Sequence, residues 1–198
     1  MNPDPGRLIE VNGTSLYVEE HGAGVPVLLM HGFPDSARLW RNQVPFLVSN
    51  GFRVITPDMR GFGRSGRPQE VAAYRLQNVV ADVTGLLDAF GIQTAHVVGI
   101  GQWIEELSRP GALTAALNWA RANLAPRMPG PQPSLPPVQA PVLGIWSDAD
   151  HYLDGERMRR SAAWVAGPWR YAEIAGASHW IPRDAPGQLN DLLLDWLR

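Results

Sequence analysis

Cysteine is absent from the 198 residues, which excludes a disulfide framework, a thiolate zinc site and a cysteine nucleophile. Excess charge of one sign is missing too. The 17 basic and 19 acidic residues leave a formal −2, too little for the cationic field that gathers nucleic acid or anionic lipid. No apolar run approaches the ~18 residues of a membrane span, and the opening MNPDPGRLIE holds no signal-type apolar stretch. No two of the 5 His stand at metal-ligand spacing with a carboxylate on one helical face. The expectation is a soluble, cytoplasmic protein with no nucleic-acid or membrane partner, no metal and no cofactor. Apolar bulk, by contrast, is plentiful: 45% hydrophobic residues, with 8 Trp, 5 Phe and 4 Tyr, fill the core of one domain over 1–198.

Along the chain, Asn12-Gly13 stands between two β-type runs, LIEV and TSLYVEE, and predicts an antiparallel hairpin. VPVLLM at 25–30 and FRVIT at 52–56 are continuous apolar runs of the kind found in strands buried on both faces of a parallel sheet. Ser36 is placed to cap a helix carrying Leu39, Trp40, Val44 and Leu47, which Pro45 should kink or end early. Helical spacing runs from Leu76 to Phe90 and stops at Gly91. A buried strand is expected over Thr94–Gly99, helices over 103–124, and an extended connector over the seven prolines of 126–141. A strand (142–146), a helix (156–165), a strand (170–174) and a last helix with Leu189, Leu192, Leu193 and Trp196 on one face complete an α/β alternation.

Ligands of an open parallel sheet gather at the carboxyl ends of its strands, and four loops stand there. His31-Gly32-Phe33-Pro34 follows a strand, so its backbone N–H groups are placed to serve an oxyanion. Gly61 to Gly66 spells G-x-G-x-x-G, but Arg67-Pro68-Gln69 follows where a dinucleotide site needs a helix, and nucleotide binding is set aside. Ser147-Asp148-Ala149-Asp150 and Gly176-Ala177-Ser178-His179-Trp180 each follow a strand. A carboxylate from one can orient the imidazole of the other and leave its second nitrogen as a general base.

Four segments, HGFPDSARLW at 31–40, ITPDMRGFGRSGRP at 55–68, GIWSDADHYL at 144–153 and GASHWIPRDAP at 176–186, in this order resemble the α/β-hydrolase superfamily, and within it the epoxide hydrolase and dehalogenase branch. The resemblance implies a shortened α/β-hydrolase fold: a mostly parallel sheet, an N-terminal antiparallel hairpin and flanking helices. It implies His179 as base, Asp150 rather than Asp148 as its acid partner, and the backbone around Phe33 as part of an oxyanion hole.

Where that family turns sharply from strand to helix to present a nucleophile, this chain reads Gly99-Ile100-Gly101-Gln102-Trp103. Gly101 has no side chain, so covalent catalysis at that place is excluded. Segment 103–125 is similar to the later part of the family's lid, with Ala120, before Arg121, where a polarising tyrosine is wanted. Two functions follow as expectations. In one, His179 and Asp150 act without a covalent intermediate on a small apolar substrate, Asp35 helps to hold a water, and Phe33, Trp40 and Trp180 supply apolar contact. In the other, the chain is an inactive relative that binds a ligand or a protein. Loss of a core strand leaves two strand edges to satisfy, either by strand 142–146 moving beside strand 94–99 or by a second copy in a homodimer.

Overall fold

In the computed structural model, which describes residues 6–32, 35–100, 118, 122 and 136–198, Asn12-Gly13 closes the expected hairpin. Strand β1 (Gly6–Val11) pairs antiparallel with β2 (Thr14–His21), Val11 opposite Thr14. Asn12 and Gly13 have φ of 44° and 71°, the left-handed pair that a two-residue hairpin turn matching strand twist requires.

The chain divides into two units, Met1–Arg127 and Met128–Arg198. In the first, β1 and β2 continue into a five-stranded sheet with β3 (Val25–His31), β4 (Phe52–Pro57) and β5 (His96–Ile100), ordered β1-β2-β4-β3-β5. β4 is antiparallel to β2 and parallel to β3, and β3 is parallel to β5. Val27, Leu28, Leu29, Val54 and Ile55 are fully buried, as their continuous apolar runs predict, and each such side chain withdrawn from water contributes about 1.5–3 kcal/mol. Helix α2 (Leu76–Ala89) brings Val83, Leu86 and Leu87 onto Val11, Leu16, Val18, Leu28 and Ile55, the stripe its spacing predicts.

The helix expected after Ser36 is instead a 3-10 turn, Ala37–Trp40, followed by helix α1 (Gln43–Ser49). Ser36 makes no side-chain cap hydrogen bond. The Ala37 N–H donates to Asp58 Oδ1 at 2.8 Å, so a carboxylate just past the end of the neighbouring strand β4 takes the donor a local cap would have served. Pro45 falls in the first turn of α1, where no intrahelical N–H is lost.

Strand β5 starts two residues later than expected and is not buried. Val97 is 57% exposed and His96 half-buried, because among the described residues β5 pairs only with β3.

The 58–66 loop owes its glycines to the hairpin. Gly66 N–H donates to the Ser15 carbonyl at 2.8 Å, and Gly61 N–H to the Gly66 carbonyl at 2.9 Å. The buried Asp58 carboxylate accepts the N–H groups of Ala37 and Arg64. Gly63, at φ 51°, passes so close that a Cβ there would stand 2.0 Å from Asp58 Oδ2. The G-x-G-x-x-G spelling thus reflects a loop folded tightly on its own carboxylate.

In the second unit β6 (Val142–Ser147) and β7 (Trp169–Ile174) run parallel, Ser147 opposite Ile174. Among the described residues β6 pairs only with β7. Helix α3 (Gly155–Arg160), capped by Asp154 Oδ1 on the Glu156 N–H, ends earlier than expected in a 3-10 turn, Ser161–Trp164. Helices α4 (Ile181–Asp184) and α5 (Pro186–Leu197) close the chain. Leu189, Leu193 and Leu197 form the buried stripe of α5, with Leu192 and Trp196 half-buried at its flank. Of the proline connector, 136–141 is described, with Val138 bridged to Val165. Gly101, Trp103, Ala120 and Arg121, and the helices expected over 103–124 apart from Asn118 and Ala122, lie outside the described residues.

Candidate active site

Because β6 and β7 are adjacent and parallel, the loops at their carboxyl ends are neighbours; two side chains tie those loops together and a third braces the first of them. Ser147 Oγ lies 2.7 Å from the Ala177 carbonyl and 2.9 Å from that of Ser178, where its hydroxyl donates. Asp148 Oδ1 accepts the Gly176 N–H at 2.6 Å, which makes Asp148 an anchor between the loops. Trp146 Nε1–H donates to the Leu153 carbonyl at 3.0 Å and pins the far end of the acidic loop.

On this frame Asp150 and His179 meet. Asp150 Oδ2 stands 2.7 Å from His179 Nδ1, with side-chain exposures of 5% and 15%. Asp150 Oδ1 accepts the N–H groups of Tyr152 at 2.8 Å and Leu153 at 2.9 Å. Burial by itself pushes this carboxyl up. The His179 hydrogen bond and the two backbone donors outweigh burial and hold it below its ordinary value. Ionised, it only accepts, so Nδ1 carries a proton, and in the neutral ring the lone pair is on Nε2. Nε2 has no hydrogen-bond partner among the described residues. An imidazole with a carboxylate on one nitrogen and an open lone pair on the other has the arrangement that general-base chemistry requires.

Two aromatic rings flank this imidazole. Tyr152 lies 5.5 Å from it, centroid to centroid, and Trp180 6.0 Å. The Trp180 N–H donates to Ser178 Oγ at 3.2 Å, and that hydroxyl in turn donates to Asp184 Oδ2, so the turn bearing His179 leads directly into α4. Sequence reasoning missed Tyr152, Ser147 and Trp146. The one available signal for Tyr152 was an aromatic residue two positions after a strand-end aspartate, where its own N–H returns to that carboxylate.

The remaining predicted residues belong to the first unit. His31 is buried, its Nδ1–H donating to the Gly32 carbonyl at 2.9 Å and its Nε2 accepting the Met59 N–H at 2.8 Å. Both nitrogens are therefore committed to holding loops. The Gly32 carbonyl also accepts the Asp35 N–H, and Asp35 Oδ1 accepts the Ser36 N–H at 2.7 Å. Trp40 is a core side chain, 1% exposed. Phe33 lies outside the described residues.

Burial lowers the His31 pKa from its ordinary 6.5, against the smaller raising effects of the Gly32 carbonyl and Asp58. Between the lowered value and 6.5 the unfolded chain binds more protons, so the contribution is complete above 6.5 and is lost as pH falls below it. Urea unfolding at about pH 7.5 and about pH 5 should show a larger loss of stability for the natural chain than for His31→Gln. Equal losses would remove His31 from the acid sensitivity.

Residues 25–102 match the family described as alpha/beta hydrolase fold. The chain is 44% identical over 112 residues to an epoxide hydrolase of Caballeronia sordidicola, covering 54% of this chain and 34% of that protein. Other epoxide hydrolases of comparable similarity are spanned over 30% to 41% of their length. A Bacillus subtilis AB hydrolase superfamily protein is 25% identical along 97% of both chains. That alignment runs over 282 residues against the 198 present here, so the ends correspond while an internal part of the relative has no counterpart. The crystal structure of epoxide hydrolase A from Mycobacterium thermoresistibile aligns over 98% of each chain with a TM-score of 0.83 at 22% identity, a likeness of fold.

Proposed function

We propose, taking as premise that this chain is an epoxide-hydrolase-like protein of the α/β-hydrolase fold, that His179 and Asp150 form a working base without a covalent nucleophile. Nε2 of His179 takes a proton from water or from the substrate, and Asp150 stabilises the imidazolium that results. The substrate is a small apolar molecule, an epoxide by likeness to the relatives' names, and the reaction is hydrolysis or a lyase or cyclase-type proton transfer. The observation that carries the reading is the 2.7 Å contact of His179 Nδ1 with an ionised carboxylate. The oxyanion role of the backbone at Gly32 and Phe33, and the water-holding role of Asp35, belong to the same proposal.

The test is turnover of a panel of epoxides and esters by the natural chain, His179→Ala and Asp150→Asn. Loss of activity in both variants supports the base. Activity equal to the parent in both overturns it. Tight binding of an apolar epoxide with no turnover by the natural chain favours the second reading, an inactive ligand-binding relative, which Gly101 in the nucleophile's place supports. Because β5 and β6 each pair with one strand only among the described residues, the proposal includes a homodimer through these edges. Light scattering should give twice the chain mass of 21.7 kDa, and a monomeric mass would remove the dimer. A cytoplasmic location completes the reading, and among the described residues no helix is long and apolar enough to cross a membrane.

A further inference from the structure

Tyr152 touches both members of the acid–base pair by different means. Its backbone N–H donates to Asp150 Oδ1 at 2.8 Å. Its ring lies 5.5 Å from the His179 ring at an interplanar angle of 59°, and 5.6 Å from Trp180 at 78°. Trp180 meets His179 edge-on at 89°. The three rings therefore form a triangle of mutual contacts, with centroids 5.5, 5.6 and 6.0 Å apart. Tyr152 is 69% exposed whereas the His179 side chain is 15% exposed, so the phenol ring is an outer cover.

A large aromatic side chain left this open contributes little core burial. Its placement needs a reason other than folding, since orienting an exposed ring costs rotamer freedom. The hydrogen bond at Nδ1 fixes one point of the imidazole. A tilted ring packed against it limits rotation about the bond to Cβ and keeps water from competing for the Nδ1 proton, because removing water strengthens the remaining electrostatic contact. Aromatic pairs in tilted or edge-on arrangement at these separations are worth about 0.5–1.5 kcal/mol beyond the area they bury.

We infer that Tyr152 is a positioning residue for the base: its N–H holds the Asp150 carboxylate while its ring, with Trp180, fixes the His179 imidazole and shields the Nδ1 proton from solvent. The phenolic hydroxyl has no part in this, so phenylalanine should replace it. The inference rests on the reading of His179 as a base but concerns the geometry of the pair, and it is measured without a substrate.

The experiment is proton NMR of the full-length natural chain, Tyr152→Phe and Tyr152→Ala, following the Nδ1 proton and the carbon-bound ring protons of His179. The natural chain and Tyr152→Phe should show a far-downfield Nδ1 resonance in slow exchange and ring protons displaced by the neighbouring aromatic current. Tyr152→Ala keeps the backbone N–H but should raise Nδ1 exchange with water by about two- to tenfold, the size of one tilted aromatic contact, and reduce the displacement to what Trp180 alone supplies. Amide spectra of all three should otherwise coincide. Exchange in Tyr152→Ala within twofold of the natural chain would overturn the inference, as would failure of Tyr152→Phe to restore the signal. If the natural chain proves active, Tyr152→Ala should lower kcat with little change in KM. If it proves inactive, the base reading fails while the exchange measurement still decides the role of Tyr152.

Discussion

Asp150→Asn is expected to reduce turnover by about 10²–10⁴-fold, the range a positioned general base supplies. The direction follows from the hydrogen bonds at the carboxylate. Oδ1 is occupied by two backbone donors, Tyr152 and Leu153. In the asparagine the carbonyl oxygen must take that place, since an NH2 group there would face two N–H groups. The amide nitrogen then points at His179 Nδ1, which can meet it only as an acceptor. The ring proton moves to Nε2, and the lone pair that served as base is gone. The fold is expected to survive, because the two backbone donors keep an acceptor. Measured kcat with an unchanged amide spectrum checks this, and kcat within threefold of the parent would contradict the assignment of the tautomer. Because Asp150 is held below its ordinary value, the pair also adds stability that is complete above the ordinary carboxylate range and disappears as pH falls through the lowered value.

The second large effect lies in the first unit. Asp82 on α2 is wholly buried and meets the buried Arg60 through two hydrogen bonds, Nε to Oδ2 at 2.7 Å and Nη2 to Oδ1 at 2.6 Å. Asn12 joins them, its Nδ2 donating to Asp82 Oδ1 at 3.0 Å and its carbonyl accepting from Arg60 at 3.1 Å. The hairpin turn, the 58–66 loop and α2 thus share one charged junction. Asp82→Ala leaves a guanidinium buried without its counter-charge, which costs about 3–5 kcal/mol. For a chain of this size that lowers Tm by on the order of 10 °C. Thermal unfolding by circular dichroism reads the shift. Adding Arg60→Met to Asp82→Ala should recover part of the loss, because no unpaired charge then remains inside. A melting point for Asp82→Ala within 2 °C of the parent, with about 2–4 °C expected per kcal/mol, would show that the junction is hydrated.

What was legible in the sequence was whatever neighbouring residues decide. The Asn12-Gly13 turn, the runs at 25–30 and 52–56 and the stripe on α2 are set by backbone torsion and apolar period, and they stand where those rules put them. That a carboxylate of the 147–150 loop meets His179 was legible because each loop follows a strand and adjacent parallel strands bring such ends together, while Asp150 rather than Asp148 was what the family resemblance implied. What failed was decided at a distance. Ser36 is an acceptable cap by local chemistry, but Asp58 supplies the acceptor to Ala37. The run at 94–99 is apolar enough for a central strand, yet the burial of β5 depends on a neighbour, and among the described residues it has one on a single side. Nothing in the neighbouring sequence marks Asp82, because its partner is 22 positions away.

The couplings made by Ser147 and Asp148 join the two loops within the second unit alone. Once turnover confirms the proposed base, its seating is a local property of these two strand ends, so the orientation of the imidazole and the choice of attacking atom are separable by mutation.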